Sequence, residues 1–308
     1  MSTPSTKPGI HYGMSFADYC AIDAINQSRL KLIIRSPAHY QHAAEQPRED
    51  PSPAMALGTA VHALVLEPEQ AMERLAVIPS DINRRTNDGR ARYAEFIEAS
   101  KGKTVLTLDD LGTAYKIRDA VLAHGSAADC VRLITGQSEV VMVWTDPDTG
   151  LTCKARVDRF AGVDLKDRWG RPPIGPFDRD WITGVDHYVA APIELKTTRD
   201  ASREGFAREA RRYSYPFQSA FYAMGAGACG IELEPLRIVA VENEPPHLVA
   251  VHTLGLPSLE LGKAQVRTAL YRLKACLEAN EWPGYADDAT PLDVPMYGGE
   301  ETTSEFGF

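Results

Sequence analysis

The sequence predicts an α/β (α+β) fold: a mixed central sheet of about five strands flanked by helices. Three observations predict it. Apolar or alternating stretches of strand length recur in the second half of the chain, at 139–145, 151–160, 188–197, 236–242 and 248–254. Segments with helical spacing of apolar residues lie before, between and after them. A chain of 308 residues with 44% hydrophobic residues also holds enough apolar material for a sizeable core.

The elements follow in order. Residues 14–44 read as short helices, with Leu30, Leu32, Ile33 and Ile34 as an apolar cluster that stops at Ser36-Pro37. A helix over 55–66 is rich in small and apolar residues and ends before Pro68. A charged helix over 83–100 carries Arg84, Arg85, Arg90 and Arg92. A short strand at 104–107 precedes a helix at 109–124, with Asp109 as its N-cap. The strands at 139–145 and 151–160 flank Asp146-Pro147-Asp148-Thr149-Gly150, which marks a hairpin. Residues 166–180 are polar, with Pro172, Pro173 and Pro176, and read as an inserted loop. Beyond the strand at 188–197, helices are expected at 202–212, 216–228 and 259–281. The first 10 residues and the tail 286–308 read as disordered or flexible, leaving one domain over 11–285 with an insertion near 164–189.

Composition narrows the function classes. No apolar run approaches the ~18–20 residues needed to cross a bilayer, so no membrane association is expected. The start, 1–9, lacks the basic-then-apolar layout of a signal peptide, and a cytoplasmic location is expected. Cys20, Cys130, Cys153, Cys229 and Cys276 are scattered, without a CxxC pair. Buried free thiols are therefore expected, and no zinc ribbon or iron–sulfur cluster. The net charge of −9 disfavours indiscriminate nucleic-acid binding, but a channel needs only local basic residues.

Glu194 and Lys196 stand two apart in a strand, so both side chains face one space while Ile193 and Leu195 face the core. A carboxylate there binds a hard cation such as Mg²⁺, and the ammonium neutralises a phosphate oxygen or positions a water. Glu-x-Lys alone is common in surface strands. Asp158, near the end of 151–160, supplies a second carboxylate from an adjacent strand. His62 lies in a helix too apolar for the surface, where Gly58, Ala60 and Ala63 allow close backbone approach. A histidine so placed is either a hydrogen-bonded core residue or a ligand. Gln218 and Tyr222, four apart, share a helix face.

In this order, Gly58…His62, Asp158, Glu194-Leu195-Lys196 and Gln218…Tyr222, the set resembles the PD-(D/E)xK nucleases of the RecB-like branch. It is most similar to the nuclease domain of exonuclease VIII (RecE-type) and its phage relatives. The likeness extends to Ser28-Arg29-Leu30, to Arg35-Ser36-Pro37-Ala38-His39-Tyr40 and to Leu195-Lys196-Thr197-Thr198-Arg199-Asp200-Ala201, and covers about residues 12–222. The resemblance implies a restriction-endonuclease-like core and a 5′→3′ exonuclease on linear double-stranded DNA. It implies Mg²⁺, with Mn²⁺ able to substitute, a ring-shaped homo-oligomer, and a single-strand annealing partner of the RecT type. By carry-over, His62, Asp158, Glu194 and the Leu195 carbonyl would be metal ligands, Lys196 would orient the attacking water, and Gln218 and Tyr222 would support the site. Two metals about 4 Å apart would activate the water and stabilise the leaving oxygen.

Two departures from the family pattern stand out. The spacing from Asp158 to Glu194 is long, which the insertion explains. Within it, Asp164-Leu165-Lys166 also fits DxK, but lies too close to Asp158 to return to the strand end. The other departure is the acidic net charge. Arg208, Arg211 and Arg212, with Arg203 and the arginines of 83–100, are the expected compensation, and Ser28 and Arg35 are candidates to grip a terminal phosphate. The rival readings are a nuclease of other polarity or endonuclease habit, and an inactive DNA-binding relative.

Overall fold

The structure is a computed structural model and describes residues 7–46, 52–132, 136–162 and 189–285. Residues 1–6, the tail 286–308, and 163–188, which hold Asp164-Leu165-Lys166 and nearly all of the expected insertion, lie outside the described residues.

The chain opens with β1 (Gly9–His11) and four short helices, α1 (Phe16–Ala21), α2 (Gln27–Leu30), α3 (Leu32–Arg35) and α4 (Pro37–Glu45). Ser36 ends α3 and caps α4, accepting from the His39 N–H, with Pro37 at the first helical position. Then come α5 (Pro53–Leu66), α6 (Ala71–Arg74), β2 (Leu75–Val77), α7 (Asn87–Ala99), β3 (Thr104–Leu106), α8 (Leu108–Ala123) and α9 (Gly125–Arg132). The N-cap of α8 is Thr107, not the expected Asp109. Thr107 and Asp110 form a reciprocal capping box, which satisfies two helix-end donors where Asp109 alone would satisfy one.

The rest of the chain supplies most of the sheet: β4 (Gly136–Thr145), β5 (Thr152–Gly162), β6 (Val189–Thr198), β7 (Glu232–Leu233), β8 (Arg237–Glu242) and β9 (Val249–Thr253). Three helices interleave or follow, α10 (Arg203–Tyr213), α11 (Tyr215–Ala228) and α12 (Leu256–Ala279). The strand order is β1-β4-β5-β6-β8-β9, and β7 pairs with β6 beside β8. The ladders are antiparallel except β6–β8 and β6–β7, which are parallel. The crossover from β6 to β8 runs through α10 and α11, since a parallel return needs a long connection.

This is the expected mixed sheet, with β4, β5, β6, β8 and β9 as its five predicted strands. β1 and β7 enlarge it; at three and two residues they are too short to show alternation. In β1, Gly9 and Ile10 pair with Val143 and Met142, so sheet structure begins inside the segment 1–10 read as disordered. The strand expected at 104–107 forms instead a separate parallel pair with β2.

Both faces of the sheet are covered, which is why Ile238, Val239, Ala240 and Val241 of β8 are apolar and buried on either side. On one face α11 and α12 pack over Val140, Met142, Trp144, Val157 and Phe160. On the other, α5 and α8 pack over Ile193, Leu195, Val239 and Val241. Helix α5 is apolar almost all round, as a helix buried between a sheet and α8 must be.

Close approach of α11 to its neighbours depends on two glycines. A Cβ at Gly225 would stand 2.7 Å from the Trp144 ring, and one at Gly262 of α12 would stand 2.2 Å from the Pro216 carbonyl oxygen. The second contact is with backbone, which cannot rotate away. Gly262→Ala is expected to force α12 off α11 and to cost about 1–3 kcal/mol. The check is the denaturant midpoint at constant slope; an unchanged midpoint would contradict this packing.

Candidate active site

The site forms where two strands part. β5 and β6 pair from Gly162↔Ala190 to Arg159↔Ile193, and there the ladder ends. The next residues are Asp158 and Glu194. Each carboxylate accepts from the other strand's backbone: the Leu195 N–H donates to Asp158 Oδ2 at 2.9 Å, and the Asp158 N–H to Glu194 Oε1 at 3.5 Å. The Leu195 carbonyl opens on the same gap and accepts from His62 Nε2 at 2.7 Å. A carbonyl oxygen only accepts, so this bond places a proton on Nε2. The same nitrogen stands 3.2 Å from Asp158 Oδ2.

His62 reaches the gap because α5 lies close against the end of β6. One turn before it, a Cβ on Gly58 would meet Thr197 Oγ1 at 3.3 Å, a tight contact that leaves little room for a side chain.

Strand alternation in β6 sends Ile193 and Leu195 into the core, both fully buried, and turns Glu194 and Lys196 the other way. Glu194 is only 1% exposed. Such a carboxylate requires donors, and three side chains supply them: Lys196 Nζ at 2.5 Å, Tyr222 Oη at 2.9 Å and Gln218 Nε2 at 3.1 Å. Gln218 also donates to the Tyr222 oxygen at 2.8 Å. The single phenolic proton of Tyr222 has two acceptors at 2.9 Å, Glu194 Oε1 and the Arg156 carbonyl.

Burial, and then the charge of Asp158, push the Glu194 carboxyl up, and Lys196 opposes them. Burial alone would push the Lys196 ammonium down, but Glu194 and Asp158 more than reverse this and raise it. We read the pair as ionised, because the ammonium contacts Glu194 and also feels the charge of Asp158, and Glu194 accepts from three donors. Burial, reinforced by Glu194 and Asp158, raises Tyr222 well above the usual phenol range, so it remains a hydroxyl donor.

All the residues expected from the PD-(D/E)xK-like pattern therefore meet here: His62, Asp158, Glu194, Leu195, Lys196, Gln218 and Tyr222. His62 Nε2, Asp158 Oδ2 and the Leu195 oxygen converge on one point, with Glu194 adjoining. An imidazole nitrogen with carboxylate and carbonyl oxygens suits a divalent cation, which would take the place of the Nε2 proton. As they stand, with Glu194 turned to Lys196, Gln218 and Tyr222, no three His, Cys, Asp or Glu side chains among the described residues are gathered for a metal.

Sequence reasoning missed Glu139. This residue of β4 has a left-handed backbone, φ 56°, and its carboxylate lies 2.6 Å from Arg156 Nε. Burial first, then the charge of Asp158, pushes its carboxyl up to about 7, so it lies close to the site. Only its departure from strand geometry sets it apart, and the sequence does not show that.

A cleft of about 830 Å³ opens beside Lys196, lined among others by Lys31, Arg199, Arg208, Arg212, Tyr213 and Asn243. Arg208 and Arg212, four apart on α10, both face it; Arg211 is not on its wall. Nor are Ser28 and Arg35. The Ser28 hydroxyl accepts from Gln27, and Arg35 donates to the Tyr285 hydroxyl at 3.1 Å. The same segment instead presents Gln27 and Lys31. Burial, and then the neighbouring Lys196, lower the Lys31 ammonium. The helix expected over 83–100 starts only at Asn87, and the arginines of that segment lie elsewhere: Arg92 of α7 pairs with Asp81, and Arg84, before the helix, covers the Tyr93 ring. Of the cysteines, Cys130, Cys153 and Cys276 are buried and Cys229 partly so, whereas Cys20 is exposed, contrary to expectation.

Replacing Tyr222 by Phe removes the hydroxyl that joins Glu194, Gln218 and Arg156. It is expected to cost about 1–3 kcal/mol, because buried acceptors lose their donor. Equilibrium denaturation measures this directly, and a loss under about 0.5 kcal/mol would contradict the network as described.

The comparisons with known proteins bear on the fold and the family. No curated protein sequence matches the chain. A crystal structure from Eubacterium rectale, of a protein provisionally described as an exonuclease, superposes with a TM-score of 0.52 at 14% identity. The match covers 93% of this chain and 97% of the other, and shows a shared fold. Among the described residues no helix is long and apolar enough to cross a membrane. The family model for a PDDEXK-like domain of unknown function (DUF3799) matches residues 26–167 and 175–293, and the chain belongs to that family.

Proposed function

We propose that the protein is a metal-dependent nuclease, and more narrowly a 5′→3′ exodeoxyribonuclease acting on linear double-stranded DNA. One observation carries this reading. Asp158, Glu194, Lys196 and the Leu195 carbonyl meet at the parting of β5 and β6, beside a cleft walled by Lys31, Arg199, Arg208 and Arg212. An acidic, oxygen-rich point next to a cationic groove fits hydrolysis of a polyanion. It also answers the objection of the −9 net charge, since the positive residues are concentrated where a strand would run.

In this reading His62, Asp158, Glu194 and the Leu195 carbonyl hold Mg²⁺, or Mn²⁺ in its place. The cation when bound supplies charge stabilisation at the phosphate and lowers the pKa of water. Lys196, held charged by its carboxylates, donates to the attacking water or to a non-bridging phosphate oxygen. Gln218 and Tyr222 fix Glu194. Lys31, Arg208 and Arg212 contact phosphates, and Tyr213 offers a ring against a base or sugar. Specificity for DNA ends, the 5′→3′ direction, a ring of subunits, a RecT-type annealing partner and a cytoplasmic setting follow from the likeness to RecE-type exonucleases. They belong to the same proposal, and the provisional description of the Eubacterium rectale protein is consistent with it.

Lys196→Ala tests the reading. It is expected to lower cleavage of an end-labelled linear duplex in Mg²⁺ by about 10²-fold or more while leaving duplex affinity nearly unchanged. Full activity in this variant would reject the site. Cutting of a closed circular duplex by the wild type would replace the exonuclease reading by an endonuclease one. Arg212→Ala is expected to weaken duplex binding and to reduce the slope of log affinity against log salt by about one. An unchanged slope would remove Arg212 from the DNA path.

A further inference from the structure

Three residues of α11 face the end of β6. Tyr215, Gln218 and Tyr222 stand at positions i, i+3 and i+7, on one side of the helix, and all are buried. Gln218 and Tyr222 donate to Glu194. Tyr215, one turn earlier, meets the other member of the pair: Lys196 Nζ lies over its ring, 5.7 Å from the centre. The spacings match, since three helical residues rise about 4.5 Å and two strand residues about 6.6 Å.

The ring is the fixed partner in this contact. Tyr215 is 8% exposed and packs on Phe206 of α10, ring centres 5.7 Å apart, and on Tyr213 at 6.1 Å. On either side of it the backbone is constrained, by Ser214, whose left-handed conformation (φ 60°) joins α10 to α11, and by Pro216. Lys196 has a flexible four-carbon stem. Its hydrogen bond to Glu194, at 2.5 Å, ties the ammonium at one point and leaves its direction open.

An ammonium carries three donors, and Glu194 takes one. A ring face attracts the cation through its quadrupole and, unlike a second carboxylate, presents no lone pair to it. The other N–H groups stay available towards the cleft, whose wall Lys196 and Tyr215 share.

We propose that Tyr215 is a positioning residue for Lys196: its ring face holds the ammonium between Glu194 and the cleft, with donors left for the attacking water or a phosphate oxygen. This rests on the reading of Lys196 as the residue that orients water or phosphate.

Steady-state cleavage of an end-labelled linear duplex in Mg²⁺ tests it, with Tyr215→Leu and Tyr215→Phe made in the full chain, alone and together with Lys196→Ala. Leucine removes the ring and phenylalanine keeps it. Tyr215→Leu is expected to lower kcat about tenfold with KM for DNA unchanged, and Tyr215→Phe to stay within about twofold of wild type. In the Lys196→Ala background, Tyr215→Leu is expected to lower the residual cleavage no further, because the ring acts only through the ammonium. A tenfold loss that persists in that background would make Tyr215 a structural residue and overturn the proposal. So would wild-type kcat in Tyr215→Leu, a tenfold loss in Tyr215→Phe, or a loss carried by KM, which would make the ring a DNA contact. If the leucine variant does not fold, Tyr215→Met, longer and still without a ring, replaces it in every comparison. Full activity in Lys196→Ala alone sinks the reading of Lys196 itself, which separates the two failures.

Discussion

The interruption of the β5–β6 ladder at Asp158 and Glu194 is the constraint on which the rest of the site depends. A strand pair that stops inside a sheet leaves backbone N–H and C=O groups without partners, and buried groups of this kind must be satisfied. Here the two carboxylates close part of that deficit, each accepting from the opposite strand. Their orientation is thus set by the backbone rather than by flexible packing. The remaining group, the Leu195 carbonyl, is left facing His62 in the gap. The arrangement that makes hydrogen-bonding sense of a broken sheet also gathers oxygen ligands around one point.

The arrangement has an energetic consequence. Glu194 is buried almost completely, and an ion there is tolerated only with charge compensation and several donors. Lys196 supplies the charge, and Gln218 and Tyr222 the further hydrogen bonds. The two helix residues come from α11, which the glycine contacts at Gly225 and Gly262 hold tightly between sheet and α12. The packing of a distant helix pair therefore bears on the position of one carboxylate. A buried ion pair of this kind contributes little to net stability.

Much of this was legible in the sequence, and the parts that were not share a cause. The five main strands and the long helices announced themselves through alternation and apolar spacing, and the ordered set from His62 to Tyr222 named residues that the structure brings together. What escaped depends on local geometry that residue type does not report. Thr107 rather than Asp109 caps α8, because the choice turns on a reciprocal bond to Asp110. β1 was missed because three residues carry no period. Lys31, not Ser28 or Arg35, faces the cleft, because the direction of a side chain on a single helical turn is fixed by tertiary contacts such as that of Arg35 with Tyr285. Glu139 was read as the first residue of an ordinary strand. Its left-handed backbone, φ 56°, is a conformation for which glutamate has no preference that would foretell it.

The central claim is that the gap between β5 and β6 is a cation site. The most direct measurement is a crystal structure of the protein grown with Mn²⁺, with the metal located by anomalous scattering. The account predicts a peak bounded by His62 Nε2, the Asp158 and Glu194 carboxylates and the Leu195 carbonyl. A well-occupied Mn²⁺ elsewhere in the molecule, with His62 still donating to the Leu195 carbonyl, would contradict it.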